Sequence, residues 1–388
     1  MNSRIERFAA LAKKEDLNPE PVCIELDEFD DKLAEPLAVA KRLCDFICAQ
    51  RIKLYEENEL IGMMRMNGCP VPADIFTRTG HVKCQEALRR YYNHPQENLC
   101  TMEWQHSNAD FGKLIRLGLN GYLREINAAR RNFLGKPYNL AYLAALEMVI
   151  GEIGRRAAQL RDFCIQKAEE TEDASRKATL LRMARNCSRV PMNPAQSFEE
   201  AIQCLYFCFA FLPDSIGRPD QYLYPLYKRG VSDGTLTREH AKELIQELFI
   251  RIHGHTFHTP WADDKGAESH FVIGGYTKEH EDGFNELSDL ILESMMELPL
   301  ERPQVSLRWT KKTPREVLHK MLDCERRDRY KRIAFVNDEP RIASLMKING
   351  LPFETACEYI MVGCNEPAYQ GGISLGGNTC NIVRSLLN

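Results

Sequence analysis

Residues 270–276 read HFVIGGY, residues 304–309 QVSLRW, residues 333–337 IAFVN and residues 358–363 EYIMVG. Each is a short apolar run rich in β-branched and aromatic side chains, the texture of a buried strand. Helix-forming segments separate them, and a repeat of about 30 residues is the period of βαβ units winding a parallel sheet. The best-marked intervening helix opens at Thr313-Pro314-Arg315-Glu316, where an N-cap threonine, a first-turn proline and a capping-box glutamate coincide. Asn349-Gly350 supplies a helix stop. In parallel sheets and barrels, chemistry gathers just beyond the carboxyl ends of strands. The loop after the last run, Gly363-Cys364-Asn365-Glu366-Pro367, is therefore the first place to look.

Outward from these strands the chain reads mainly helical. Residues 139–165 and 175–187 are rich in Ala, Leu, Glu and Arg. Two prolines in residues 190–197 break that texture, and Ser197-x-x-Glu200 forms a capping box that opens an apolar helix to about Leu212. Ala241, Leu244, Ile245, Leu248, Phe249 and Ile252 lie on one face of a helix over residues 238–252. Two regions are expected: a mainly helical one over 1–190 and an α/β one over 191–388.

Lys+Arg 51 against Asp+Glu 55 leaves a net charge of −4, which lacks the basic excess of a nucleic-acid binder. No apolar run reaches the ~18 residues of a membrane span, and the first residues lack a signal-peptide core. A cytoplasmic protein is expected. Fourteen cysteines occur without one C-x-x-C pair. They sit scattered in apolar stretches, as Cys204 and Cys208 do, and read as reduced, mostly inert thiols.

In the loop, Cys364 follows a buried strand and Glu366 stands two positions on, so in an extended segment both side chains face the same way. Gly363 permits close backbone approach and Pro367 stiffens the exit. Spacing alone supports no more than an ordinary buried thiol. His253, His255 and His258 have a spacing that could hold zinc, with Asp263 and Asp264 following. They close an amphipathic helix, however, where the dipole favours histidine, and Phe257 stands where a di-metal hydrolase pattern has aspartate. No metal is expected. The stretch from Arg326 to Arg332, interleaved with Asp328, reads as a solvated face.

The sequence resembles the glycyl radical enzymes related to pyruvate formate-lyase along most of its length. Gly363-Cys364-x-Glu366-Pro367 is similar to the cysteine loop of their dehydratase and C–X lyase branches. Upstream, Gly217-Arg218-Pro219-Asp220-Gln221-Tyr222, Gly234-x-Leu236-Thr237-x-Glu239, Gly274-Gly275 with Asn285-Glu286-Leu287-Ser288, and Ala334 to Glu339 follow the family order. His106-x-x-x-Asp110-Phe111 with Gly118 and Gly121 is a further match.

The resemblance implies a helical N-terminal region plus one half of a ten-stranded α/β barrel. Cys364 would be the thiyl that abstracts a substrate hydrogen atom, and Glu366 the general base. His106, Asp110, Ser215 and Asn378 would contact substrate, although Gln105 replaces the usual glycine before His106 and Asp214 stands where diol dehydratases carry histidine. No cofactor would be bound directly; a separate radical-SAM activating enzyme, carrying an iron–sulfur cluster and S-adenosylmethionine, would install the glycyl radical. Expected partners are a small-molecule substrate, that activating enzyme, a radical-bearing C-terminal half or subunit, and a second copy of the chain in a homodimer.

Pyruvate formate-lyase itself has adjacent cysteines, whereas Gly363 precedes Cys364 here, which speaks against acyl transfer. The family's Arg-Val-x-Gly-aromatic motif is absent from the 388 residues; Gly371, Gly372, Gly376 and Gly377 lack its neighbours and read as loop glycines. The expected activity is a C–O-cleaving dehydratase. Alternatives are a decarboxylase, a C–N or C–S lyase, an inactive truncated half-barrel, or a zinc hydrolase. A half-barrel alone would expose strand edges and an apolar wall, so self-association is expected.

Overall fold

The computed structural model describes residues 1–14, 17, 33–62, 100–106, 108–209, 215–255, 269–363, 365–372 and 375–380. Its strands are β1 (Cys100–His106), β2 (Ser215–Gly217), β3 (His270–Gly274), β4 (Gln304–Trp309), β5 (Ile333–Asn337), β6 (Ile360–Val362), β7 (Glu366–Ala368) and β8 (Leu375–Cys380). The long helices are α1 (Ser3–Lys14), α2 (Glu35–Ala49), α3 (Phe111–Ala129), α4 (Pro137–Glu170), α5 (Ala174–Arg189), α6 (Phe198–Phe209), α7 (Tyr224–Ser232), α8 (Arg238–His255), α9 (Glu286–Glu297), α10 (Arg315–Arg327) and α11 (Asp338–Asn349).

Strands β2, β3, β4 and β5 form a parallel sheet in that order. Register runs His270 to Gln304 through Gly274 to Arg308, then Val305 to Ile333 through Trp309 to Asn337. The pattern of two decides which way each side chain goes. Phe271, Ile273, Val305 and Leu307 enter the main core with Leu248 and Phe249 of α8, Ile291 of α9, Phe198 and Tyr206 of α6, and Ile5 and Phe8 of α1. Phe249 meets Phe271 edge-on at 4.7 Å between ring centroids. Burying each such side chain contributes roughly 1.5–3 kcal/mol. That core joins α1 to the sheet, across residue 190. Within β5, the last strand of the sheet among the described residues, only Val336 is fully buried.

The opposite face of the sheet carries a second core. Val272 and Val336 pack there with Tyr359, Ile360, Met361 and Val362. The strand expected over 358–363 is buried but does not continue the parallel sheet. Instead β6 pairs antiparallel with β7 as a hairpin, Ile360 opposite Ala368 and Val362 opposite Glu366, set against β2 and β3. A short apolar run does not specify its pairing partner, so periodicity found this buried strand but not the strand it pairs with. Strands β1 and β8 form a separate antiparallel pair, so Gly376 and Gly377 belong to a strand rather than to a loop.

The helix starts show the same competition. Glu200 N–H donates to Ser197 Oγ at 3.1 Å, as the capping box requires, but Glu200 reaches back to Gln196 N–H rather than to Ser197. Thr313 does not cap α10, because its hydroxyl goes to Asp282. Gly350 stops α11 in the left-handed conformation, as expected.

Behind the main core, α2, α4 and α5 bury Ile47, Leu160, Cys164, Leu180, Met183 and Cys187. Burial pushes the Cys164 thiol up to about 12 and Cys44 up to about 11, so these thiols stay protonated and unreactive.

An ionic cluster ties α1, the 51–62 segment, α5, α6 and α8 together. Arg4 meets the fully buried Glu247 at 2.5 Å, Arg182 meets Glu59 at 2.7 Å, and His240 meets Glu199 at 2.7 Å. Hydrogen bonding to Glu199 raises the His240 pKa, against burial and Arg182 and with help from Glu59. The stabilisation His240 lends is therefore complete below its unfolded value of 6.5 and fades as pH climbs through the raised folded value. His240→Gln should lower the melting temperature at about pH 6 more than at about pH 9. A difference that stays flat with pH contradicts this.

Candidate active site

The hairpin turn joins Val362 to Asn365, whose N–H donates to Val362 O at 3.0 Å. Gly363 has φ 50° and Asn365 φ 79°, left-handed conformations that these two residue types tolerate. Cys364, the residue between them, lies outside the described residues. Glu366 opens β7 on the far side of this turn, so no extended segment links it to Cys364 and the same-side argument drawn from sequence does not apply.

The face of the sheet turned to the hairpin is polar where the turn meets it. The alternation that sends Val305 and Leu307 into the core presents Gln304, Ser306 and Arg308 on the other side, with His270 beside them on β3. His270 Nε2 lies 2.5 Å from Gly363 O. Gln304 Nε2 donates to Asn365 Oδ1 at 2.9 Å, and Ser306 Oγ stands 3.3 Å from His270 Nδ1 and 3.4 Å from Asn365 Oδ1. Arg341 of α11 reaches Asn365 O at 3.5 Å.

At the other end of the hairpin, Arg308 donates to Tyr359 O and Cys357 O, each at 2.9 Å. It pairs with Asp338 in a two-pronged contact, Nε to Oδ1 at 2.8 Å and Nη2 to Oδ2 at 2.7 Å, with both side chains at 0% exposure. Tyr359 donates its hydroxyl to Asp338 Oδ1 at 2.7 Å, and its ring centroid lies 3.9 Å from the Arg308 guanidinium carbon. Tyr276 N–H completes the set on Asp338 Oδ2 at 2.7 Å. Only glycine fits at 275, because a Cβ there would fall 2.5 Å from Arg308 Nε. Arg218 adds a second guanidinium, donating to Cys357 O at 3.1 Å and Gly274 O at 3.0 Å. Asp220 accepts from Gly274 N–H at 2.8 Å and Ser288 Oγ at 2.7 Å. Burial pushes its carboxyl pKa up, with Arg218 and these donors opposing. The hairpin is thus fastened at both ends.

Glu366 is half-buried, and its Oε2 is fully buried with no hydrogen-bond partner among the described residues. A buried acceptor left open in a folded protein calls for a reason. An acceptor kept free for an incoming O–H or N–H is a chemically sufficient one.

Past the hairpin, residues 369–372 lie against residues 108–110. Asn108 donates to Tyr369 O at 2.5 Å, and Gly371 N–H donates to Asn108 O at 2.5 Å. Asp110 caps α3 by accepting from Lys113 N–H at 2.8 Å, and Gly371 packs against its Cβ. His106 and Asn378 fall on the neighbouring strands β1 and β8, with backbones opposite Leu375 and Met102; their side chains lie outside the described residues. Ser215 is buried on β2, where its Oγ accepts from Gly217 N–H at 3.1 Å, and Gln370 reaches Ile216 O beside it at 3.3 Å. Asp214 lies outside the described residues. The segments carrying Asp110 and Ser215 thus both meet the chain as it leaves the hairpin. Sequence reasoning missed His270, Gln304, Ser306 and Arg308, although the polar–apolar alternation of QVSLRW was the signal.

Other clusters carry less. Glu59, His240 and Glu243 have ligand atoms within 4.8 Å of one another, but Arg4 and Arg182 already neutralise these carboxylates. His253 is buried with Nε2 3.8 Å from Glu301, while the side chain of His255 and all of His258 lie outside the described residues. Among the described residues no helix is long and apolar enough to cross a membrane.

The profile of the family described as "Pyruvate formate lyase-like" matches residues 89–388. The chain belongs to the pyruvate formate lyase-like family. These are glycyl radical enzymes, and its relatives lie on the dehydratase and lyase branch. Isethionate sulfite-lyase of Oleidesulfovibrio alaskensis is 30% identical over 330 residues, covering 76% of this chain and 37% of that protein. (2S)-3-sulfopropanediol dehydratase of Klebsiella oxytoca is 27% identical over 282 residues, covering 67% of this chain and 33% of that protein. The chain therefore spans about a third of the length of these curated relatives. A structure solved for 1,2-propanediol dehydration in Roseburia inulinivorans superposes with a TM-score of 0.79 at 20% identity, over 96% of this chain and 55% of that one. The helical region followed by part of an α/β barrel, expected from sequence, is the pyruvate formate lyase-like fold.

Proposed function

We infer that the chain is the cysteine-bearing part of a glycyl radical lyase that removes water from a small polar substrate. The observation that carries this reading is the open, buried Glu366 Oε2 one residue past a turn pinned on both sides of Cys364. Cys364 in its thiyl form takes a hydrogen atom from a carbon that bears a hydroxyl. Glu366 then takes the proton of that hydroxyl and delivers it to the hydroxyl on the neighbouring carbon, whose C–O bond breaks to release water. The product radical recovers a hydrogen atom from the Cys364 thiol, so a diol gives a carbonyl compound plus water. Asp110 and Ser215, from segments that meet the chain past the hairpin, and His106 and Asn378, from strands β1 and β8, serve as substrate contacts.

Residues 191–388 form the α/β part and residues 1–190 its mainly helical support. The radical glycine lies outside these 388 residues, and a separate activating enzyme with an iron–sulfur cluster and S-adenosylmethionine installs it in a cytoplasmic setting. A second reading, C–S cleavage, is favoured by the 30% identity to an isethionate sulfite-lyase.

The chain supplied with an activated radical-bearing segment should convert a short diol or hydroxysulfonate to a carbonyl product. No turnover of any C–O, C–S, C–N or C–C substrate by a radical-positive assembly sinks the reading. Glu366→Gln separates the two steps: hydrogen exchange between substrate and thiol should persist, while elimination falls by about 10²–10⁴-fold. Loss of both steps together contradicts the assignment of Glu366 as base.

A further inference from the structure

We propose that His270 is a positioning residue for Cys364, holding the Gly363 carbonyl and with it the peptide plane from which the cysteine hangs. This deepens the reading of Cys364 as the hydrogen-atom carrier and rests on it. His270 is fully buried at the start of β3, on the face of the sheet turned to the hairpin. Its Nε2 is 2.5 Å from Gly363 O. A carbonyl oxygen only accepts, so Nε2 carries the hydrogen. In the neutral ring Nδ1 then accepts from the Ser306 hydroxyl at 3.3 Å, which leaves Asn365 Oδ1 to the Gln304 amide at 2.9 Å.

The need for such a contact follows from Gly363. A peptide unit is planar, so the Gly363 carbonyl and the Cys364 nitrogen and Cα move together. Glycine has no Cβ to narrow its own torsions, and Gly363 stands at φ 50° in the left-handed region. His270 restrains the peptide plane through the Gly363 carbonyl, while Gln304 holds the Asn365 side chain just past Cys364. A misplacement of about 1 Å at a reacting centre costs on the order of 100-fold in rate, so the orientation of this plane matters to transfer.

Three substitutions test the geometry. His270→Gln puts an amide nitrogen where Nε2 stood, His270→Asn puts one near Nδ1 and short of Gly363, and His270→Leu removes both. The first readout is alkylation of Cys364 by iodoacetamide in the full chain, followed by peptide mass spectrometry with exposed Cys48 as internal reference. Asn and Leu should shift the Cys364 rate relative to Cys48 by about tenfold, with Gln within about twofold of wild type. In the activated assembly, Asn and Leu should lower kcat by about tenfold or more with KM nearly unchanged, and Gln should restore it. If Leu does not fold, the Asn–Gln contrast decides alone. Wild-type alkylation in Asn, or Gln behaving like Asn, overturns the proposal. Alkylation needs no radical, so a failure of the lyase reading would leave this contrast standing and the two fail separately.

Discussion

Cys364→Ala is expected to abolish turnover in the activated assembly, by at least about 10⁴-fold, with little change in stability. The alanine variant has no S–H bond to exchange with substrate carbon. The restraints on the turn run through the Gly363 carbonyl, the Asn365 backbone and the Asn365 amide, and none of these is lost. Cys364→Ser should be equally inactive, because an O–H bond is too strong for reversible hydrogen-atom exchange with carbon. Product formation measured against wild type at matched radical content decides it, and an alanine variant retaining more than about 1% of the rate removes Cys364 from the mechanism.

Asp338→Ala should cost about 3–5 kcal/mol of stability, because it strands a buried guanidinium. Arg308 and Asp338 are both at 0% exposure, and Asp338 also accepts from the Tyr359 hydroxyl and Tyr276 N–H. Removing the carboxylate takes this acceptor from four donors, two of them on the Arg308 guanidinium, and the charged pair is the most expensive. Arg308→Met with Asp338→Leu should cost less than the two single changes summed, since each single change leaves an unpaired partner. Urea midpoints at constant m-value measure both. A single-site loss below about 1 kcal/mol would mean that the hairpin base rests on Arg218 and apolar packing instead.

Three of the four strands of the parallel sheet, β3, β4 and β5, were legible because continuous runs such as HFVIGGY read as buried strand, whereas the three-residue β2 offers no such run. The α11 stop was legible too, since Asn-Gly admits few backbone solutions. The hairpin was not. Glu366-Pro367-Ala368 has no apolar signature, and the two left-handed residues that make the turn, Gly363 and Asn365, do not announce which strand returns. The loop itself was found, but its anchors were not. His270 and Gln304 open their strands, where a polar residue reads as a boundary, and Arg308 lies within β4, where its role shows only once the sheet's second face is known to be covered. Thr313 shows the limit from the other side: its sequence context fits a cap, and a longer-range acceptor, Asp282, takes its hydroxyl.

Apart from Arg341 and Asp338, the groups that fasten the hairpin at 218, 270, 304 and 308 lie on strands or loops made more than about 45 residues earlier in synthesis. Such distant pairings are slow to close, because loop entropy is spent before any contact rewards it. As the chain emerges from the ribosome, strands β2 to β5 precede residues 357–366, so the groups that receive the hairpin are made before it. The hairpin is thus synthesised after the strands that receive it, and its seating depends on donors that the earlier sheet supplies.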